Sequence, residues 1–438
     1  MKRCLIIGGG IAGLTAASIL SSKKISVTLI ESSPKLGGRT YSFMDEVSGE
    51  IIDNGQHIMM GCYKETLSFL RLIGADKNFI YQNKLEVDFI DYGFKKYKLH
   101  ASNLFYPFNL LAGFFNYNAF TIRDKIKFLK FIAKLPFVSK KRLSNISVKQ
   151  WLKDENQSEK LIKSFWEILC VGSLNSNLEK ASAQIFADVL KQIFFTGNFS
   201  STIILPKLGL SESIIDPAFR FIKGNGGEII HSDKIKQFVV NGNKIVHLIS
   251  NKNTYSDYDF IISAIPLHSL EKIMPKKDLD IKADLAYSTI VNVHIWLNEN
   301  PLKENFYALI NSPVHWIFNK GNRVNIVISD ADDLADKPKE EIFELVISEL
   351  KNYAGIRRSF VDNYRVIKEK RATFIPTKYS LSKRPRSKTL IKNLFLAGDW
   401  IDTGLPSTIE SAAKSGRMAA ELVVKEIICN NSLSKIEQ

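Results

Sequence analysis

Residues 4–20, CLIIGGGIAGLTAASIL, decide the fold. The opening apolar run has the character of a buried parallel strand, and the residues after the glycines read as a helix. Between them Gly8, Gly10 and Gly13 stand in G-x-G-x-x-G spacing. The first glycine permits a tight turn, the second admits a pyrophosphate to the backbone, and the third lets the helix lie close on the strand. Phosphates then meet the N-terminus of that helix. A second strand is predicted over Ser26–Ile30 and ends in Glu31. That acid, about 20 residues beyond the glycines, is positioned to accept hydrogen bonds from an adenosine ribose and to repel a 2′-phosphate. Strand, glycine turn, helix, strand and acid in this order predict a dinucleotide-binding unit, against the alternative that Glu31 is a solvated strand end.

The next residues, SSPKLGGRT, form a second phosphate-facing loop. Gly37 and Gly38 free backbone N–H groups for close approach, and Arg39 offers a charge-assisted contact to phosphate. Far downstream, NLFLAGDW reads as another strand leading through Gly398 and Asp399 to an amphipathic helix that opens near Pro406. An acid in that position can bond a ribityl hydroxyl, and the helix N-terminus can stabilise negative charge on the pyrimidine side of a reduced flavin. This second grip favours FAD over NAD. Between the two grips, residues 224–248 read as a helix C-cap at Gly224, Gly226 and Gly227 followed by two strands joined by an Asn-Gly turn. That glycine cluster follows a helix and precedes a strand, opposite to the order a phosphate loop needs. No second fingerprint for NAD(P)H is visible, so the electron donor is expected to be a carrier that docks, one that diffuses in, or the substrate itself.

GGGIAGL with Glu31, KLGGRT, LAGDW and GLPSTIESA together resemble the amine oxidase and phytoene desaturase flavoprotein superfamily. The resemblance implies FAD contacts at Gly8, Gly10, Ile11, Ala12, Gly13, Glu31, Gly37, Gly38, Arg39, Gly398, Asp399, Thr408 and Ile409, with Ile235 beside the adenine. No Cys follows LAGDW, where covalent members attach their flavin, so noncovalent FAD is implied. Within the superfamily, IIDNGQHIMMGCYKETLSFLRLIGA is similar to the bacterial hydroxysqualene dehydroxylases, also called squalene-associated FAD-dependent desaturases. Further matches, FWEILCVGSLNSNLEKASA, TIVNVHIWL, HWIFN, EKRATF and LAGDWIDTGLPSTIESA, spread the likeness over most of residues 2 to 425. It implies removal of the hydroxyl of hydroxysqualene by reduced FAD, giving squalene for hopanoid synthesis. Loss of water from an allylic alcohol leaves a delocalised cation that a hydride quenches, so the site must be dry and must supply a proton. The competing readings are a carotenoid-type desaturase using oxidised FAD, an amine oxidase, and a noncatalytic FAD-containing lipid-binding protein.

His57 follows a glycine loop expected to approach the flavin and is the candidate general acid or hydroxyl-positioning group, against a structural His bonded to backbone. Asp53 is read as holding the turn through backbone N–H groups. Asn54 and Gln56 are candidate substrate contacts. In TIVNVHIWL, Val291, Val293, Ile295 and Leu297 face one way while Asn292, His294 and Trp296 face the other. The second face either lines a substrate tunnel, which makes His294 and Trp296 pocket residues, or covers the sheet against a neighbour.

Sixty Lys and Arg against 45 Asp and Glu give a net charge of +15. The charges are dispersed, which fits compositional bias or attraction to an anionic membrane surface better than nucleic acid. Residues 104–120, LFYPFNLLAGFFNYNAF, concentrate aromatics ahead of the basic stretch RDKIKFLKFIAK. Two readings stay open for them: a lip dipping into lipid headgroups, giving peripheral membrane contact, or the core of a helical substrate subdomain. Cys4, Cys62, Cys170 and Cys429 are scattered without metal-like spacing, so no metal site and no disulfide framework is expected. With no signal-peptide pattern at the start, the chain is expected in the cytoplasm, at the inner face of the membrane if the lip reading holds.

The fold class expected is α/β, a Rossmann-like FAD-binding domain interleaved with an α+β substrate domain. The FAD domain is assigned to residues 1–75, 205–265 and 385–430, the substrate domain to 76–204 and 266–384, and a C-terminal tail to 431–438.

Overall fold

A computed structural model describes residues 2–436, with side chains to residue 429. The strand Arg3–Ile7 is buried from Cys4 onward. It lies in the middle of a five-stranded sheet ordered Glu228–Ile230, Ser26–Ile30, Arg3–Ile7, Phe260–Ser263, Leu394–Leu396. All four pairings are parallel, so every connection is a crossover and the long insertions between strands are free to build a second domain. The helix Ile11–Ser22 follows the first strand and is buried at most positions. The closing helix Ile409–Ile436 packs along it. Two glycines make the close approaches possible. A Cβ on Gly13 would stand 1.9 Å from the carbonyl oxygen of Gly8, and one on Gly416 would stand 2.2 Å from that of Ala12. The two ends of the chain thereby share one hydrophobic core, with Leu14, Leu20, Phe395, Ala413 and Val423 in it.

Local chemistry adjusts some sequence boundaries. The closing helix opens at Ile409 and not at Pro406, because the Thr408 hydroxyl accepts the Ser411 N–H at 3.2 Å and so serves as the cap. It runs on through most of the expected 431–438 tail, whose last two residues lie outside the described ones. The glycine cluster at 224–227 does end a helix, Asp216–Gly224, with the Gly227 N–H donating to the Ile222 carbonyl at 2.9 Å. In the hairpin that follows, Asn241 pairs with Lys244. The turn residues are therefore Gly242, at φ 60°, and Asn243, one position later than an Asn-Gly turn.

The second domain is built on a seven-stranded sheet, in order Val361–Phe374, Tyr287–Leu297, Arg323–Ile328, Trp316–Asn319, Phe306–Leu309, Glu86–Asp91, Lys95–His100. The strand Tyr287–Leu297 buries Val291, Val293, Ile295 and Leu297 against Ile342, Val346 and Leu350 of the helix Lys339–Ala354. Its opposite face looks toward the first domain. Helices between Phe108 and Phe195 form an aromatic cap, where Phe114 meets Phe128 at 4.4 Å and Phe165 at 5.5 Å between ring centres. Strands of the two sheets alternate along the chain, which is the interleaved α/β fold class read from the sequence. Among the described residues no helix is long and apolar enough to cross a membrane.

Candidate active site

A cavity of about 1150 Å3 runs from the glycine turn of the parallel sheet to the aromatic cap. Its wall takes in Gly8, Gly10, Ile11, Ala12, Glu31, Gly37, Gly38, Arg39, Ile235, Gly398, Asp399, Thr408 and Ile409. Gly13 is absent from the wall, since its contribution is the helix–strand contact. A Cβ on Gly10 would meet no protein atom within 4 Å. The backbone there faces open space, as a cradle for a pyrophosphate requires. The residues present therefore fit FAD.

Glu31 is set by the turn it faces. Its Oε2 accepts the Gly9 N–H at 2.7 Å, and its Oε1 accepts the Ser33 N–H at 2.8 Å and the Ser32 hydroxyl at 3.1 Å. Arg39 behaves differently from the expected phosphate ligand. Its Nη2 donates to Asp399 Oδ1 at 2.5 Å and its Nη1 to the Ala372 carbonyl at 2.6 Å. Each Nη thus spends one N–H within the protein, and the remaining guanidinium N–H groups stay available to a ligand in the cavity that Arg39 lines. Burial pushes the Asp399 carboxyl up, but the Arg39 guanidinium and the Ser407 hydroxyl outweigh it and hold the group below the usual carboxylate range.

The loop 53–57 lies against the Tyr287–Leu297 strand. Asp53 has a structural role through partners remote in sequence instead of its own turn: Oδ1 accepts the Ser42 hydroxyl at 2.7 Å and the Leu210 N–H at 2.8 Å. Asn54 reaches the cavity wall, donating to the Arg39 carbonyl at 2.8 Å and accepting the Tyr41 N–H at 3.2 Å. A Cβ on Gly55 would come within 2.8 Å of Asn292 Nδ2, so a larger residue there would displace the Asn292 amide. Gln56 and His57 line the cavity. His57 is half-buried at the cavity wall, with its ring beside the Arg39 backbone. Burial drives its pKa down, the Asp53 carboxylate and the Arg39 backbone contact only partly restoring it, so the imidazole is neutral at pH 7.

Of the polar face of TIVNVHIWL, only Asn292 reaches the cavity. His294 and Trp296 lie outside its wall, His294 against the loop and Trp296 against Arg323. His294 Nε2 donates to the Asp53 carbonyl at 3.0 Å, and burial with the nearby Arg323 takes its pKa down to about 4. Trp296 is buried with the Arg323 guanidinium 5.6 Å from its ring centre. The alternation set Asn292, His294 and Trp296 on one face, and of these three Asn292 reaches the cavity.

The far lobe of the cavity is apolar, with Leu85, Val87, Phe89, Leu99, Phe165 and Phe194 among its walls. Sequence reading missed these, although the alternation in EVDFID already set Val87 and Phe89 on one face. Residues 104–120 divide between their two readings. Leu110, Phe114, Tyr117 and Phe120 are core, and Phe114 touches the cavity, while Leu104, Phe105, Phe108 and Phe115 are exposed.

Fold and site together define a class: an FAD-dependent oxidoreductase whose parallel sheet carries a glycine-turn cradle continuous with an apolar chamber. Residues 11–424 match the family described as flavin containing amine oxidoreductase, and the chain belongs to that family. Among curated relatives, the hydroxysqualene dehydroxylase of Zymomonas mobilis is 28% identical over 96% of this chain and 98% of its own. That of Rhodopseudomonas palustris is 27% identical over 97% and 98%, and the 15-cis-phytoene desaturase of Synechococcus elongatus is 20% identical over 96% of each. Among solved structures, an oxidoreductase from Methanosarcina mazei superposes with a TM-score of 0.74 at 17% identity, covering 96% of this chain and 100% of its own. Cyclohexylamine oxidase from Brevibacterium oxydans follows at 0.69 and 14%, over 97% and 99%.

Proposed function

We propose that the chain is a hydroxysqualene dehydroxylase that binds FAD noncovalently and uses it reduced to replace a hydroxyl of a long-chain isoprenoid with hydrogen, yielding squalene. The observation that carries this reading is the continuity of the cavity, from a dinucleotide cradle into a lobe walled by aliphatic and aromatic side chains. A polar amine would leave that lobe unused, whereas a C30 hydrocarbon fills it and excludes water. The full-length likeness to dehydroxylases at 27–28% identity, against 20% for the phytoene desaturase, supports the choice of substrate.

In this reading Gly8, Gly10, Ile11 and Ala12 hold the pyrophosphate, Glu31 the adenosine ribose, Ile235 the adenine, and Gly398, Asp399, Thr408 and Ile409 the ribityl and flavin end. Bound there, FADH2 would supply both the hydride that reaches the carbon and the proton with which the hydroxyl leaves as water, returning to FAD. The apolar lobe keeps water from the carbon that loses its hydroxyl. Neutral His57 positions that hydroxyl by a hydrogen bond and does not carry a charge into a dry site.

The substrate enters from lipid. Phe105, Phe108, Phe115, Ile122 and Ile126 form an exposed apolar lip, 74% exposed at Phe105, beside the exposed Arg123 and Lys130. Aromatic anchors with a basic rim suit the interface of an anionic membrane. Electrons come from a separate donor at the cytoplasmic face.

Anaerobic incubation of the prereduced, FAD-loaded protein with hydroxysqualene, phytoene or an amine decides between readings. Squalene formed only by reduced protein is the expected result. Phytoene desaturated by oxidised protein, with hydroxysqualene untouched, would replace this reading with the desaturase.

A further inference from the structure

The apolar lobe is interrupted on one wall by polar groups of the large sheet and of the loop over it. Asn292 and Val327 are opposite in the sheet register, which continues one step beyond the paired residues to set Ile290 across from Ser329. All four line the cavity. Asn292 Oδ1 accepts the Gln56 N–H at 3.4 Å, which puts Gln56 beside this wall. Polar atoms here lack partners among the described residues. Gln56 Nε2 is buried without one, and the Ser329 hydroxyl has none although its backbone N–H donates to His315 Nδ1 at 3.1 Å. Asn54, on the same loop, has by contrast a partner on both amide atoms. An amide buried without a partner costs about 1–3 kcal/mol. Beside a cavity, that cost is relieved by a ligand with the missing group.

We infer that Gln56, with Asn292 and Ser329 beside it, recognises the hydroxyl of an otherwise hydrocarbon substrate. The inference rests on the dehydroxylase reading and adds to it the site of substrate discrimination. An alcohol accepts one hydrogen bond and donates another. A half-turn about Cγ–Cδ presents either end of the Gln56 amide, and the Ser329 hydroxyl takes either role. A site built to bond a hydroxyl rejects the analogue that lacks one, because its own polar groups are then left unpaired. The dehydroxylated product therefore binds more weakly than the substrate, which favours its release.

The test is a titration of oxidised, FAD-loaded protein, where no turnover occurs, with hydroxysqualene and with squalene, followed through the flavin absorbance. Wild type is expected to bind hydroxysqualene about tenfold more tightly, the worth of one such hydrogen bond. Gln56→Leu is expected to narrow the difference severalfold with squalene affinity and flavin spectrum unchanged, the His57 hydrogen bond supplying what remains, and Ser329→Ala to narrow it less. A variant that weakens both ligands alike, a preference undiminished in both variants, or a wild type without preference overturns the inference. So does a Gln56→Leu protein whose preference is undiminished while its flavin spectrum shifts, since the amide would then serve the cofactor. Failure of the dehydroxylase reading is seen separately, as no squalene formed by reduced wild type.

Discussion

Glu31 and His57 differ in the partners that surround them. Glu31 is surrounded by donors, two of them backbone N–H groups of the turns on either side, so its charge is what the glycine turn is organised around. Glu31→Lys replaces an acceptor by a cation against those donors and removes the ribose acceptor. The protein should purify colourless, with far-ultraviolet circular dichroism retained; flavin absorbance at wild-type stoichiometry would refute the role. His57 has only partial compensation and so stays neutral at pH 7. If the neutral ring is the working form, turnover holds at pH 7 and falls as the pH drops below about 6.5 toward the lowered pKa. A charged proton donor would show the reverse, with turnover rising on acidification. His57→Ala should keep its FAD and lose about tenfold in kcat, roughly one hydrogen bond to the reacting group. Unchanged turnover would leave His57 a structural residue.

At the scale of elements, the strand Tyr287–Leu297 and the loop 53–57 work as a unit. The strand holds the loop at two points, Asn292 on Gln56 and His294 on the Asp53 carbonyl. His294 and His315 are both held neutral by burial, with pKa values taken down to about 4. The unfolded rings protonate near 6.5, so the folded form binds fewer protons between the two values. Stability is then full above about pH 6.5 and declines as pH falls toward 4, on the order of 3 kcal/mol for each ring. Urea midpoints measured across this range should fall steeply in wild type and less steeply in His294→Gln, which keeps a donor but cannot titrate. The exposed lip is a second element with its own test. Phe105 and Phe108 pack edge to face at 5.2 Å on the outside of the cap, whereas Phe114 on the inner face is core. Phe105→Ser with Phe108→Ser should lower flotation with anionic vesicles while leaving thermal stability within about 1 kcal/mol. Equal flotation of wild type and variant removes the lip from the entry route.

On the scale of the whole molecule, what is legible in the sequence is what depends on backbone geometry. Gly8, Gly10 and Glu31 can be read because a tight turn, a close phosphate and a strand-end acid each demand a residue type at a fixed spacing. The apolar lobe is not legible, since Leu85, Val87, Phe165 and Phe194 carry the same alternation whether they face a cavity or fill a core. The concealment of His294 is not legible either, because it depends on which distant loop folds over the strand. The partner of Arg39 belongs to the same category, and its consequence reaches across the fold. Arg39 follows the second glycine loop and Asp399 follows the last strand, yet they form an ion pair that also ties in Ala372 of the strand Val361–Phe374. That contact joins the start of the chain, its end and the second domain beside the cofactor cradle. Asp399 is nearly buried while Arg39 opens partly to the cavity, with side-chain exposures of 9% and 35%. Removing one partner of a buried pair costs about 3–5 kcal/mol, because the other charge is stranded. Here the opening on the Arg39 side should reduce this to roughly 2 kcal/mol. Arg39→Met should therefore lower the unfolding midpoint of FAD-free protein, and adding Asp399→Leu should recover part of the loss by removing the stranded carboxylate. If the double variant is instead less stable than Arg39→Met by the full effect of a second independent mutation, the two residues are uncoupled and the cofactor cradle is held together by packing alone.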